Sequence, residues 1–353
     1  MTVASRMKDV AERARVSVTT VSHLLNNTRY VAPETRQRIL DAIRELGFYK
    51  NEHARRLVRG YSNFYGMIVS NIENPFFSEI VARFESALQE DGADLFLCNT
   101  NYDPARSDAA LRKMLENKVR GVAIMTSEWP GGLTRELIDH QVATVFLDIG
   151  PVGPYTSNIR VDYASGIYEA IDYLVQLGHR HFAFIAGPRS LTSAVIRREA
   201  FLEALRHNHI TQCEVLEGNH KVDGATAAVQ SLLTKPNSAT AILCSNDLTA
   251  IGALSTLHEA GLKIPQDISV VGFDDIAFAS LAYPPLTTIS LPRSDLAKLA
   301  FEALQQIHSS ERGQGSEYVI QTHLVVRGST GQAPSLEGQA DFNALCKMVE
   351  QGK

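Results

Sequence analysis

The sequence predicts an α/β chain with an N-terminal all-α helix-turn-helix headpiece of about 60 residues and a larger two-lobed body of parallel sheets. Three observations carry this: an uneven charge distribution, short amphipathic runs near the N-terminus, and apolar runs alternating with helical stretches thereafter. The 353 residues hold 34 Lys and Arg against 39 Asp and Glu. Residues 1–60 contain 12 basic and 6 acidic side chains, which leaves 22 basic and 33 acidic in 61–353. A small basic module on an acidic body suits a nucleic-acid reader carried by a sensor, although composition alone fits a solvated basic surface equally well.

In KDVAERA, Val10, Ala11 and Ala14 recur at helical spacing, as do Val21, Leu24 and Leu25 in VTTVSHLLN. The intervening RVS has room only for a tight turn, and Ser17 is a good N-cap for the second helix. A third helix starts at Pro33, buries Ile39, Ile43 and Leu46, and stops at Gly47. In a helix-turn-helix the start of the second helix enters the major groove. Val18, Thr19 and His23 therefore face base edges, while Ser17, Thr20, Ser22 and Asn26 suit phosphates. The bland reading is that the Ser and Thr residues only cap the helix. Tyr30, beyond it, completes the headpiece candidates.

The next stretch, KNEHARRLVRGYSN, sets Leu57 among Arg55, Arg56 and Arg59. An apolar side chain flanked by arginines can wedge open a minor-groove base step, and a plain basic linker is the alternative.

From Phe64 the runs FYGMIVSNI, ADLFLCNT, VRGVAIMTS, VATVFLDIG, HFAFIAGP, ATAILCSND and ISVVGFDD alternate with helical stretches, which implies βαβ units. Two sets divide near Ser157–Gly166, with a return near TTISLP, giving lobes of about 61–160 plus 290–325 and of 161–289. Ligands of parallel sheets sit at the carboxyl ends of strands, so the cleft between lobes is the expected site. Asn74, Phe76 and Phe77 follow the first run; Asp148 ends the fourth; Asn246 and Asp247 end CSND; Asp274 and Asp275 end GFDD. Aromatic faces with converging acceptors suit a neutral polyhydroxy ligand, and Arg197 offers a fork of donors. Each also has an ordinary structural reading, as core Phe or capping Asp.

No P-loop, GxGxxG after a strand, GxSxG or HExxH occurs, and the HRH at 179–181 precedes a strand as a structural turn would. Cys98, Cys213, Cys244 and Cys346 lie far apart without a CxxC pair, so no zinc cluster or disulfide framework is encoded. No cofactor or metal is expected. Neither a signal-peptide core nor an apolar run of membrane-spanning length is present, and a cytoplasmic protein is expected.

DVAERARVSVTTVSHLLN, VAPETRQRILDAIRELGF and ARRL resemble the headpiece of the lactose/galactose repressor family, with Thr19 and His23 most similar to its purine and ribose branch. NPFFSEI, TSAVIRREAF, SNDLTAIGAL, ISVVGFDD and PPLTTI resemble the periplasmic-binding-protein-like core of these repressors, through about residue 330. The resemblance implies an operator-binding homodimer that represses carbohydrate-related genes under a sugar-like effector. It implies a hinge helix at 51–60 that forms on an inverted-repeat operator and places Leu57 in the minor groove, although Lys50 stands where the family usually has proline. It places Asp148, Ser193, Arg197, Asn246 and Asp274 against the effector and likens Phe76 and Phe77 to the aromatic sandwich of ribose-type sites. His220 stands where an aromatic ring is common and Leu291 where a polar amide is common, which suggests a ligand less hydroxylated than a hexose. Leu191 replaces the arginine of purine-binding members and argues against a purine co-repressor. Rival readings are a soluble sugar-binding transport component and a sugar-modifying enzyme.

The tail from 331 to 353 carries one short apolar stripe, Phe342, Leu345 and Met348 or Val349, too short for a coiled coil.

Overall fold

The computed structural model describes residues 5–26, 28–48, 62–235 and 239–334. Lys50, the expected hinge with Arg55 and Leu57, and the apolar stripe of the tail lie outside them. The chain divides into two compact units, Met1–Ser62 and Asn63–Lys353.

In the first unit, helices α1 (Met7–Ala14), α2 (Val18–Asn26) and α3 (Pro33–Leu46) enclose a small core of Val10, Ala11, Ala14, Val21, Ile39, Ala42 and Phe48. Ile43 and Leu46, expected inside, are half-buried against it; Ala42 and Phe48 take the inner places. Arg15 adopts a left-handed conformation (φ 54°), which lets the Val16 amide return to Ala11 O at 2.9 Å and closes the turn. Gly47 (φ 57°) ends α3, as a residue without Cβ does most cheaply.

The second unit contains β1 (Phe64–Val69), α4 (Pro75–Glu90), β2 (Asp94–Asn99), α5 (Pro104–Glu116), β3 (Gly121–Met125), α6 (Gly131–Asp139), β4 (Ala143–Leu147) and β5 (Thr156–Asp162). Then come α7 (Tyr163–Gln176), β6 (His181–Ile185), α8 (Thr192–His207), β7 (Gln212–Leu216), α9 (Val222–Leu233), β8 (Ala241–Cys244), α10 (Asp247–Glu259) and β9 (Ser269–Asp274). It closes with β10 (Thr287–Ser290), α11 (Arg293–Ser309), β11 (Glu317–Gln321) and β12 (His323–Val325). The strands form two six-stranded sheets, β11-β5-β4-β3-β1-β2 and β12-β10-β9-β8-β6-β7, parallel except where β12 meets β10.

The chain passes between sheets after β5, after β10 and again between β11 and β12. The third passage, which sets β12 in the second sheet, carries no sequence signal. Thr322 lies there, buried; its hydroxyl donates to Asp162 O at 2.7 Å and accepts from Gly166 N at 3.0 Å, tying the first passage to the third. A Cβ on Gly166 would stand 2.4 Å from Ile289 Cγ2, so only glycine lets α7 approach β10 this closely. The strands β5, β7, β10, β11 and β12 lack the long apolar runs that betray the other seven. Most of them are short, polar or at sheet edges, where one face meets water.

Candidate operator and effector sites

On α2, Ser17 caps the helix by accepting the Thr20 amide at 3.0 Å, and its hydroxyl also meets Thr20 Oγ1 at 2.8 Å. The capping role is thus real for this pair, while Thr19 is exposed and Val18 is 44% exposed with nothing in the helix to account for them. His23 is half-buried, and Nδ1 lies 2.9 Å from Thr28 Oγ1, which holds the ring and leaves Nε2 as its outer edge. Ser22 is half-buried, Asn26 ends the helix, and Tyr30 is 88% exposed.

In the body, the carboxyl ends of β1, β3, β4, β6, β8 and β9 surround one part-enclosed cleft of about 490 Å³, counting its opening to solvent. Asn74, Phe76, Phe77, Ser193, Arg197, His220, Asn246 and Asp274 all line it. Asp148 does not. Held with φ 66°, it accepts from Val161 N at 2.7 Å and from the Tyr163 hydroxyl at 2.6 Å. Its carboxylate therefore acts behind the cleft, fixing the ring of Tyr163. Leu291 is buried and is likewise absent from the lining.

Arg197 is buried with its guanidinium carbon 4.9 Å from the Tyr163 ring centroid and 4.0 Å from that of Phe273. Nη1 donates to Ser245 O at 2.5 Å and Nη2 to Asp274 Oδ1 at 3.3 Å, while Nε, also buried, has no partner among the described residues. Much of the expected donor fork is thus spent on holding the second lobe together. Burial pushes the Asp274 carboxyl up to about 6 in spite of Arg197 and Arg293, which pull it down. The Asp274 carbonyl accepts from Arg293, and Arg293 Nε also pairs with Glu79 at 2.8 Å. Glu79 in turn accepts from the Ala277 amide at 3.0 Å, so the first lobe grips the second beside Asp274.

Asn246 caps α10 by accepting from the Thr249 amide and hydroxyl, and its amide donates to His220 O at 3.1 Å. His220 takes φ 62° and sets Nε2 2.9 Å from Ser245 Oγ; burial, then Arg197, lowers its pKa to about 3, so the ring is neutral. Asn74 caps α4 by accepting from Phe76 N at 3.1 Å. The rings of Phe76 and Phe77 meet edge to face, 5.1 Å apart at 76°, and so are not two parallel plates with a slot between them. Ser193 Oγ lies 3.1 Å from Ser127 Oγ on the other lobe.

Asp247 and Asp275 serve the scaffold: one accepts from Thr288 and from Ile276 N, the other pairs with Arg327 at 2.6 Å. His179 is buried between Thr240 Oγ1, Ser269 Oγ and Gly331 O, a structural role of the kind its position suggests.

Ser70, Tyr102, Thr126, Ser127 and Tyr163 also line the cleft and escaped the sequence reading. Small polar residues directly after the runs of β1 and β3 were a usable signal for three of them. Tyr102 had none: it reaches the cleft because Asn101 and Tyr102 both take left-handed conformations (φ 52° and 59°).

Two α/β sheets around a ligand cleft, with a helix-turn-helix unit in the same chain, define a ligand-responsive DNA-binding regulator. Residues 6–51 match the bacterial regulatory proteins of the lacI family, and residues 171–330 match a periplasmic binding protein-like domain. The HTH-type transcriptional repressor PurR of Edwardsiella ictaluri is 34% identical over 335 residues, 94% of this chain and 98% of that protein. Of solved structures, the Lac repressor dimer bound to operator and the anti-inducer ONPF aligns with a TM-score of 0.80 at 29% identity, covering 93% of this chain and 100% of that one. A LacI family transcriptional regulator from Enterococcus faecium with bound ribose aligns at 0.70 and 28% identity, covering 76% and 99%. The chain belongs to the lacI family of bacterial regulatory proteins. It is a DNA-binding transcriptional repressor with an effector-binding body, and not an enzyme. Among the described residues no helix is long and apolar enough to cross a membrane, and no His, Cys, Asp and Glu cluster could hold a metal ion.

Proposed function

We propose that this repressor is a cytoplasmic homodimer that controls carbohydrate-related genes, and that its effector is a sugar or sugar derivative held in the cleft between the lobes. The observation that carries the reading is the convergence of the effector candidates, Asp148 apart, on one part-enclosed cleft with aromatic, hydroxyl and carboxylate walls. Leu191, apolar and buried in that wall, offers nothing to a nucleobase edge. The Enterococcus faecium relative holds ribose. In this reading Asp274, Ser193, Asn74 and the remaining Arg197 donors bind hydroxyls, Phe76 and Phe77 cover a C–H face, and His220 and Asn246 shape the second-lobe wall.

On the DNA side, Val18, Thr19 and His23 read bases. Ser17, Thr20, Ser22, Asn26, Tyr30 and Arg55 hold the backbone, and Leu57 of a hinge at 51–60 opens the central step of an inverted repeat. Effector binding closes the lobes and changes how paired subunits meet, which orders or releases the hinge. For the dimer, Phe278 (54% exposed), Leu281 (77%) and Tyr283 (92%) form an apolar segment of the second lobe that a lone subunit would leave wet.

Native mass spectrometry of small molecules retained through purification, followed by a thermal-shift screen of sugars, their derivatives and nucleobases, tests the effector. Stabilisation by a sugar or polyol supports the reading. Retention and stabilisation by hypoxanthine or guanine alone would overturn it.

A further inference from the structure

We infer that the first-lobe end of the cleft is built to take a hydrogen-bond donor, and that Glu128, a residue outside the cleft lining, sets this polarity and rejects anionic effectors. The inference rests on the small-molecule reading above and names the ligand chemistry that the same cleft selects.

The relay begins with Thr126 Oγ1, which donates to Glu128 Oε2 at 2.8 Å. Ser70 Oγ donates to Thr126 Oγ1 at 2.9 Å and also lies 3.3 Å from Glu128 Oε2. The Glu128 amide, 3.3 Å away, adds a second donor to Thr126 Oγ1. Burial pushes the Glu128 carboxyl up, and the hydrogen bonds from Thr126, Ser70 and its own amide pull it back; in its ionised form it accepts and cannot donate, so it draws both hydroxyl protons toward itself. Thr126 is thereby saturated, with one proton given and two received. Ser70, which lines the cleft, has spent its proton and can offer only lone pairs to whatever lies there. Glu128 Oε1 is buried and has no partner among the described residues, so the relay keeps unspent acceptor capacity.

Ser70 and Thr126 are almost wholly buried, so the negative end of the relay is poorly screened. Nor, among the described residues, does the cleft hold a cation without a carboxylate partner to offset it. Arg197, the one Lys or Arg of the described lining, is committed to Asp274 and Ser245 O. Arg293, at the rim, is committed to Glu79 and the Asp274 carbonyl. On the opposite lobe the Asp274 carboxylate and the Arg197 guanidinium form one buried pair, so that wall supplies no net positive charge. A phosphate or carboxylate group would therefore meet acceptors at the first-lobe wall with no unpaired cation among the described lining residues, whereas a hydroxyl or an ammonium would meet partners.

Two measurements test this. Difference infrared spectra of the unliganded full-length protein against Glu128→Gln at pH 7 report the carboxyl directly. Loss of an ionised-carboxylate band in the variant supports the relay; loss of a protonated-carboxyl band overturns it, because a neutral Glu128 could donate back and free the hydroxyls. Calorimetric titrations then compare matched probes within several hexose, pentose and polyol series: the neutral compound, its amino derivative, and its phosphate or uronate. In any series that binds, the anionic member should be weaker than the neutral one by about tenfold or more, and Glu128→Gln should close most of that gap. An anionic member that binds as well as its neutral counterpart, or a gap unchanged in Glu128→Gln at an unaltered thermal midpoint, would refute the inference. Binding of hypoxanthine or guanine alone would remove the sugar reading and leave the infrared arm to decide the polarity of this wall.

Discussion

At Asp274 burial and charge pull in opposite directions, and the carboxyl settles at about 6, above the ordinary aspartate value. Because the folded value is raised, this group favours the fold most below the ordinary aspartate range. That contribution is lost as pH rises through about 6. Ligand binding runs the other way. Only the ionised form accepts from ligand hydroxyls at both oxygens, so effector affinity should be full above about pH 7 and fall as pH drops through about 6. His220, lowered to about 3, stays neutral across that window and adds nothing. Calorimetry from pH 5 to 8 checks this, and a flat profile would mean that the charge of Asp274 is not read by the ligand. Asp274→Ala should weaken the effector by about 1–3 kcal/mol, roughly 5-fold to 150-fold, while operator binding without effector stays near normal. The same variant reveals the sign of regulation, since an induced repressor would stay on DNA and a co-repressed one would let go. A drop of many degrees in the unfolding midpoint with unaltered effector affinity would assign Asp274 to the scaffold. Asp148 shows why such a test is needed: the same residue type at an equivalent strand end is held by Tyr163 and Val161 and never reaches the cleft.

Among the elements, α2 and the turn after β6 make separable predictions. Thr19→Ala or His23→Ala should cost on the order of 1–3 kcal/mol at particular base pairs, whereas Arg55→Ala should weaken all sequences alike. The Thr28 hydroxyl holds the His23 ring, so Thr28→Ala should blur preference at the His23 base pair while leaving random-DNA affinity unchanged. Binding selections on randomised operators would settle both, and uniform losses would mean that α2 does not face the bases. In the turn after β6, a Cβ on Gly187 would lie 1.9 Å from His220 Nε2. Gly187→Ala should therefore displace the ring and lower effector affinity, and adding His220→Ala should recover part of the lost stability. Strict additivity of the two changes would show that the contact is not what confines position 187. The pattern of α2 was legible because helical period and capping are local, while the His23–Thr28 contact depends on how the chain leaves the helix.

For the whole molecule, the two basic headpieces of the proposed dimer should make operator affinity fall steeply with salt. The exposed Phe278–Tyr283 segment belongs to this scale as well, because the proposed dimer would cover its apolar surface. Leu281→Lys should shift sedimentation toward monomer and make operator binding strongly concentration-dependent, with the effector site intact. A variant that remained dimeric at micromolar concentration would move the subunit face elsewhere. Within one subunit, Glu79 joins Arg293 to the Ala277 amide beside Asp274, so the grip between lobes and Asp274 belong to one network.

Helical period, capping residues, strand runs and charge asymmetry are local properties, and from them alone the sequence determined a basic helix-turn-helix headpiece and an α/β body with candidate ligand residues at strand ends. The tertiary structure alone decided which of those residues share a cavity. The Arg197–Asp274 pair joins residues 77 apart, Ser70 reaches Thr126 across 56, and the passage through Thr322 closes onto Gly166 across 156. A carboxylate at a strand end looks the same in sequence whether it faces a ligand or a tyrosine. The difference lies in the packing of distant segments, which no local pattern encodes.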